Sequence, residues 1–144
     1  MERFSSFDEI KKSLEKNETS CKAIVLHYLH NIQTKAHLNA FVEVYEQSAL
    51  AHADLVDQRI AQGRAGKLAG MVIGIKDVLC YKDHEANASS KILKGFQSQI
   101  TTTAIQRLID EDAIILGRLN CDEFGMGSSN ENSVHGKVLN AADE

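Results

Sequence analysis

The sequence predicts an α/β layer architecture, and three observations carry that expectation. Apolar residues recur at helical spacing through the first part of the chain. A glycine-bounded apolar run, Leu68-Ala69-Gly70-Met71-Val72-Ile73-Gly74-Ile75-Lys76-Asp77, then ends on charge. Further on, Ala113-Ile114-Ile115-Leu116 is continuously hydrophobic, as strands covered on both faces are. Helices alternating with such strands sort into helical layers over a sheet.

The elements follow in order. Ser6 with Glu9 three residues on forms a capping box, and Phe7, Ile10 and Leu14 supply an apolar face behind it. A second helix opens near Thr19 or Ser20, with Cys21, Val25, Tyr28 and Ile32 on one side. Asn39 to Tyr45 alternates apolar and polar residues as a half-buried strand does. A third helix spans roughly Gln47 to Gln62, its stripe made by Ala49, Ala53, Val56 and Ile60, with Gly63 and Gly66 ending it. After the run at Leu68–Asp77, the polar stretch Tyr81 to Ser90 reads as a loop. Thr102 to Asp112 is a short helix with Ile105, Leu108 and Ile109 inward, and Ala113–Leu116 is the buried strand. Asn120 to Asn140, dense in Gly, Ser and Asn, reads as loop. No repeat or linker divides the chain, so residues 1–144 are one domain, mostly helical over 1–66 and sheet-forming over 67–144.

Composition narrows the function. At 144 residues, 43% hydrophobic and 25% charged, the chain is ordinary for a globular protein. A formal charge of −4 and a pI near 5.9 provide no electrostatic reason to bind a phosphate backbone directly. No apolar run approaches membrane-spanning length, and Met1–Ser6 lacks the apolar core of a signal peptide. Three separated cysteines, Cys21, Cys80 and Cys121, fit reduced thiols in a cytoplasmic protein. Proline is absent, and Ala141–Glu144 carries neither anchor nor helix stop, so the ending looks arbitrary.

Two places could carry chemistry. A lysine closing an apolar strand loses hydration, which favours the neutral amine that proton transfer needs. Lys76 sits so, unless it extends to solvent, the commoner fate of strand-end lysines, or Asp77 lies close enough to hold its charge. The stretch Gly125-Met126-Gly127-Ser128-Ser129-Asn130-Glu131-Asn132-Ser133 combines close backbone approach with hydroxyl and amide groups, as a ligand-lining loop or a plain surface loop would. It lacks the Gly-Lys-Ser/Thr ending of a phosphate loop. His27, His30, His37, His52, His84 and His135 form no zinc-binding pattern, and there is no GxSxG elbow.

Leu68–Asp77, Ser89-Ser90-Lys91-Ile92-Leu93-Lys94-Gly95-Phe96 and, most sharply, Ala113–Ser133 resemble the amidase signature family, and within it the glutamine-hydrolysing subunits of glutamyl-tRNA(Gln) and aspartyl-tRNA(Asn) amidotransferases. The resemblance implies the N-terminal part of the amidase-signature fold, a mixed sheet flanked by helices and incomplete. It implies a Ser–cis-Ser–Lys triad with Lys76 as catalytic base and acid, and Met126, Gly127 and Ser128 lining the substrate pocket. The serine-bearing signature is absent, and Ser128-Ser129 matches the pocket loop instead, so the chain alone is expected to be inactive. Val72 stands where the family often has proline and Arg118 where lysine is common, both expected to lie apart from the chemistry. The implied assembly is a heterotrimer that takes ammonia from glutamine, with tRNA, ATP and Mg2+ handled by partner subunits and no cofactor held by this chain. Two rivals remain: a stand-alone amidase of small amides, and a non-catalytic interaction module.

Overall fold

Ser6 opens the first helix, α1 (Phe7–Glu15), by accepting the Glu9 N–H at 3.3 Å, as the capping pattern requires. The computed structural model describes Phe4 and residues 6–142; the readings of Met1–Ser6 and of Ala141–Glu144 fall partly outside these residues. Ile10 and Leu14 of α1 are buried. Helix α2 (Cys21–Thr34) is capped by Ser20, whose Oγ accepts from Ala23 at 3.1 Å. Asp57 of helix α3 (Glu46–Ala61) also reaches it, accepting the backbone N–H groups of Cys21 at 2.7 Å and Lys22 at 3.1 Å. A carboxylate there satisfies free donors and suits the positive end of the helix. Small residues on α3, Ala49 and Ala53, pack into the core that α1 and α2 share with the sheet.

The same contact silences Cys21. Burial, then the Asp57 charge, push its thiol far above the ordinary range. Cys121 is buried as well, whereas Cys80 is half-exposed. Native alkylation followed by mass spectrometry is therefore expected to mark Cys80 first, with Cys21 and Cys121 reacting only in denaturant. Rapid native labelling of Cys21 would contradict this packing.

Three strands form one mixed sheet, β1 (Phe41–Val44), β2 (Val72–Lys76) and β3 (Ile114–Leu119), in the order β1-β3-β2. β1 runs antiparallel and β2 parallel to β3. Helix α4 (Thr103–Asp110) lies between β2 and β3 in sequence. The doubly covered strand is as expected: Ile114 and Leu116 enter the core under α1–α3, while Ile115 joins Tyr45, Ile75 and Ile105 on the opposite face.

Several boundaries differ from the sequence expectation. The run at Leu68–Asp77 becomes strand only at Val72, because its earlier amides are used in turns. Leu68 donates to the Glu111 carbonyl at 2.8 Å, Ala69 to Gly66 at 3.3 Å and Met71 to Leu68 at 2.9 Å. β3 runs past Leu116 through Gly117 and Arg118 to Leu119, since a buried partner neutralises Arg118. In β1 the simple alternation is interrupted by a bulge between Phe41 and Glu43, which sets Glu43 opposite Arg118. Another ion pair, Arg59 with the buried Asp112, fastens α3 to the α4–β3 turn, and Asp112 also accepts the Gly66 N–H at 2.7 Å.

Beyond β3, the only regular structure among the described residues is a 3-10 turn at Glu123–Gly125. Side-chain bonds to backbone order this loop-rich segment. Asn39 donates to the carbonyls of His135 at 2.8 Å and Lys137 at 3.0 Å, and Asn120 donates to those of Asn39 at 3.2 Å and Gly136 at 3.0 Å. The first part of the chain thus holds the last in place. No helix among the described residues is long and apolar enough to cross a membrane.

Candidate active site

Strand alternation sends Ile75 into the core and Lys76 to the other side, where Lys76 is exposed. The expected dehydration of this lysine is therefore not met within the described residues: they leave the face that carries it open. One element does approach it. A Cβ built on Gly125 would lie 3.5 Å from Lys76 Nζ and 3.5 Å from Val78 Cγ1. Gly125 has φ +69°, a left-handed conformation that suits glycine, and it leads into Met126, Gly127 and Ser128, all exposed. The lysine and the loop singled out from sequence thus meet, at Gly125.

Asp77 turns the opposite way and is fully buried. Its carboxylate accepts from Arg118 Nη1 at 2.6 Å, from the backbone N–H groups of Ser89 at 2.6 Å and Asn87 at 3.2 Å, and from Ser89 Oγ at 3.3 Å. Arg118, 2% exposed, also reaches Glu85 at 3.0 Å and Glu43 at 3.3 Å. Burial opposes the charge of this guanidinium, but its bond to Asp77 and the surrounding charges outweigh that and raise its proton affinity. A ring cluster lies against this group: His84 stacks on Tyr81 with centroids 4.3 Å apart and sits 4.1 Å from Tyr45. Burial, then Glu43, push the Tyr45 phenol well up. Arg118 thus holds Asp77, the residue next to Lys76, while its bonds go to Asp77, Glu85 and Glu43.

The polar stretch at Tyr81–Ser90 is a loop, yet residues 86–90 are buried. Ala88 and Ser89 both take left-handed φ values, 51° and 50°, a cost borne because the backbone must wrap the Asp77 carboxylate. The loop then hands its bonds to the segment after β3. Phe124 N donates to Ala88 O at 2.8 Å, Val134 N to Ser89 O at 3.0 Å, and Ser90 Oγ to Glu123 at 2.6 Å. A continuous hydrogen-bonded path therefore runs from the end of β2 to the loop beside Lys76.

Asp122 ends that path. It is 5% exposed and accepts the backbone N–H groups of Asn130 at 2.9 Å and Asn132 at 3.0 Å. Those amides, Asn132 first, hold its carboxyl below the ordinary range, and the Lys76 charge adds to this. Sequence reasoning missed Ser89 and Asp122, and weighed Asp77 only as a charge beside Lys76. The available signals were an aspartate directly after β2, another three residues past β3, and an arginine inside an otherwise apolar strand. Elsewhere, an apolar groove of about 440 Å³ between α2 and the sheet is lined by Tyr28, Ile32, Phe41, Val72 and Leu116. It contains none of the candidate residues. Among the described residues, no group of three or more His, Cys, Asp or Glu side chains is placed to hold a metal ion.

The sequence pattern of the Amidase family matches residues 23–144. The A-type subunit of glutamyl-tRNA(Gln) amidotransferase from Chlorobium phaeobacteroides (strain BS1) is 41% identical over 142 residues, 98% of this chain and 30% of that protein. Its counterpart of the same name from Salinibacter ruber is 40% identical over 138 residues, 95% of this chain and 27% of that protein. The chain thus spans about 30% of the length of these relatives. Among solved structures, a chain of the vestigial complex described as revealing the origins of an s-triazine catabolic enzyme superposes with TM-score 0.89 at 29% identity, covering 97% of this chain and 31% of that one. An amidase crystal structure superposes with TM-score 0.87 at 25% identity, over 96% of this chain and 32% of that one. With the family pattern extending from α2 to the last residue and the backbone overlaying solved amidases, this chain belongs to the amidase family.

Proposed function

We propose that this chain is part of the glutamine-hydrolysing subunit of a tRNA-dependent amidotransferase. The observation that supports this most is the approach of the Gly125–Ser128 loop to the Lys76 amine at the open end of β2. In the proposed reaction Lys76 takes a proton, relayed through a bridging serine, from a nucleophilic serine; neither serine is among these 144 residues. The serine oxygen bonds to the side-chain amide carbon of glutamine. The C–N bond then breaks, and ammonia leaves with the proton that Lys76 returns. Water resolves the acyl-enzyme to glutamate. Met126, Gly127 and Ser128 line the pocket for the amide.

The ammonia is passed to Glu-tRNA(Gln) or Asp-tRNA(Asn) by partner subunits of a cytoplasmic heterotrimer, where ATP, Mg2+ and tRNA are also handled. The acidic balance of this chain suits that division, because a basic surface for nucleic acid is then needed elsewhere. Near 40% identity to amidotransferase subunits supports this reading over a stand-alone amidase, for which the structural likeness is at 25% identity. A non-catalytic interaction module is a further rival. The test compares the 144-residue chain with the full-length protein that carries it. The chain alone is expected to release no ammonia from glutamine, and the full-length protein with its partners is expected to release it. Hydrolysis of simple amides without partners, and none of glutamine, would favour the stand-alone amidase; no hydrolysis of either would favour the interaction module.

A further inference from the structure

Asp122 touches both limbs of the loop beside Lys76. Its backbone carbonyl accepts from Gly125 N at 2.8 Å, and its carboxylate accepts from Asn130 and Asn132, 8 and 10 residues on. The crown of the loop rests on the same carboxylate, for a Cβ on Gly127 would fall 2.4 Å from Asp122 Oδ2. No side chain other than hydrogen fits there without displacing one partner. The crown has little burial of its own to hold it, since Met126 is 81% exposed. Besides one main-chain bond between the limbs, Glu123 N to Asn132 O at 3.1 Å, its shape rests on one buried anion bonded at short range to backbone donors.

We infer that Asp122 is a positioning residue: its carboxylate clamps the Gly125–Asn132 loop in the shape that presents the pocket backbone to glutamine beside Lys76. The inference rests on the glutamine reading above and deepens it, because the residue acts through the loop and not on the substrate. Neighbouring carboxylates are engaged elsewhere, Glu123 by Ser90 and Asp77 by Arg118. An asparagine at 122 keeps the shape but turns one acceptor into a donor facing a backbone N–H. An alanine at 127 pushes on the same oxygen from the other side.

The test uses Asp122→Asn and Gly127→Ala in the full-length enzyme, read by steady-state glutamine hydrolysis and by amide hydrogen exchange. Each variant is expected to raise KM for glutamine about tenfold while kcat stays within about threefold, the signature of lost pocket shape with the reacting groups intact. In Asp122→Asn the amides of Asn130 and Asn132 are expected to lose protection, while Ile114 N–H, bonded to Met71 O at 2.8 Å in the sheet, keeps its own. Unchanged protection at Asn130 and Asn132 would overturn the inference, as would an unmoved KM in both variants. Should Asp122→Asn lose protection at Ile114 as well and so unfold, amide exchange at Asn130 and Asn132 in Gly127→Ala decides, because KM at a pocket-lining residue also reports direct obstruction. A wild-type enzyme that releases no ammonia from glutamine defeats the functional reading itself. That result is distinct from failure of the clamp, which is shown by an active wild type and unmoved KM values.

Discussion

Exchanging Arg118 for methionine is expected to destabilise the chain by about 3–5 kcal/mol, the usual cost of leaving one member of a buried ion pair without its partner. The exchange removes the guanidinium from a site where it is 2% exposed and leaves Asp77 fully buried with its charge unmatched. Asp77 retains its bonds from Ser89 and Asn87, so the loss falls on charge compensation and on the links to Glu85 and Glu43. A lysine at 118 keeps the charge but not the fork that spans Asp77 and Glu85 together, and its cost is expected to be smaller, about 1–2 kcal/mol. Urea denaturation followed by circular dichroism measures both. An Arg118→Met chain as stable as the parent would refute the view that this pair joins β2, β3 and the 86–90 loop. The effect extends to the site, because that loop carries the bonds to Glu123 and Phe124 that precede the Gly125 turn.

The second large effect falls on activity. In the full-length enzyme Lys76→Ala is expected to lower kcat for glutamine hydrolysis by about 10²–10⁴, the range in which positioned acid–base groups act; in the 144-residue chain, where the side chain is exposed, stability is expected to stay nearly unchanged. Arginine at 76 keeps the charge and much of the length but cannot give up its proton near neutral pH, so it is not expected to restore turnover. Ammonia release measures the first quantity and a thermal melt the second. Wild-type turnover in either variant would remove Lys76 from the proposed mechanism. A fall in turnover matched by a fall in Tm would assign it a structural role instead.

How far the sequence revealed this molecule depends on the range of the interactions involved. Ile10 with Leu14, and Ala49 with Ala53 and Val56, are neighbours on one helix face, so their burial follows from local spacing. Ser6 and Ser20 as caps are equally local. The apolar run in β3 announced two covered faces, and the structure has both. Its length was underestimated because Arg118 looks like a strand end when read alone. The Tyr81–Ser90 stretch read only as a polar loop, since nothing nearby in sequence says that Asn87 and Ser89 wrap a buried carboxylate.

What the sequence determined unaided is therefore the set of helices, the alternation with strands, and the two segments that meet at the candidate site, Lys76 and the loop entered through Gly125. Tertiary structure alone decided that Lys76 lies open while Asp77 is buried, that Arg118 is the partner of Asp77, and that Asp122 holds the loop. The physical reason is register. β2 pairs with β3 so that Ile75 stands opposite Arg118 and Lys76 opposite Leu119, and a slip of one residue would exchange the faces of the lysine and the aspartate. Periodicity within one strand tells which residues share a face, whereas charge pairing across 41 residues exists only once two strands have chosen their alignment.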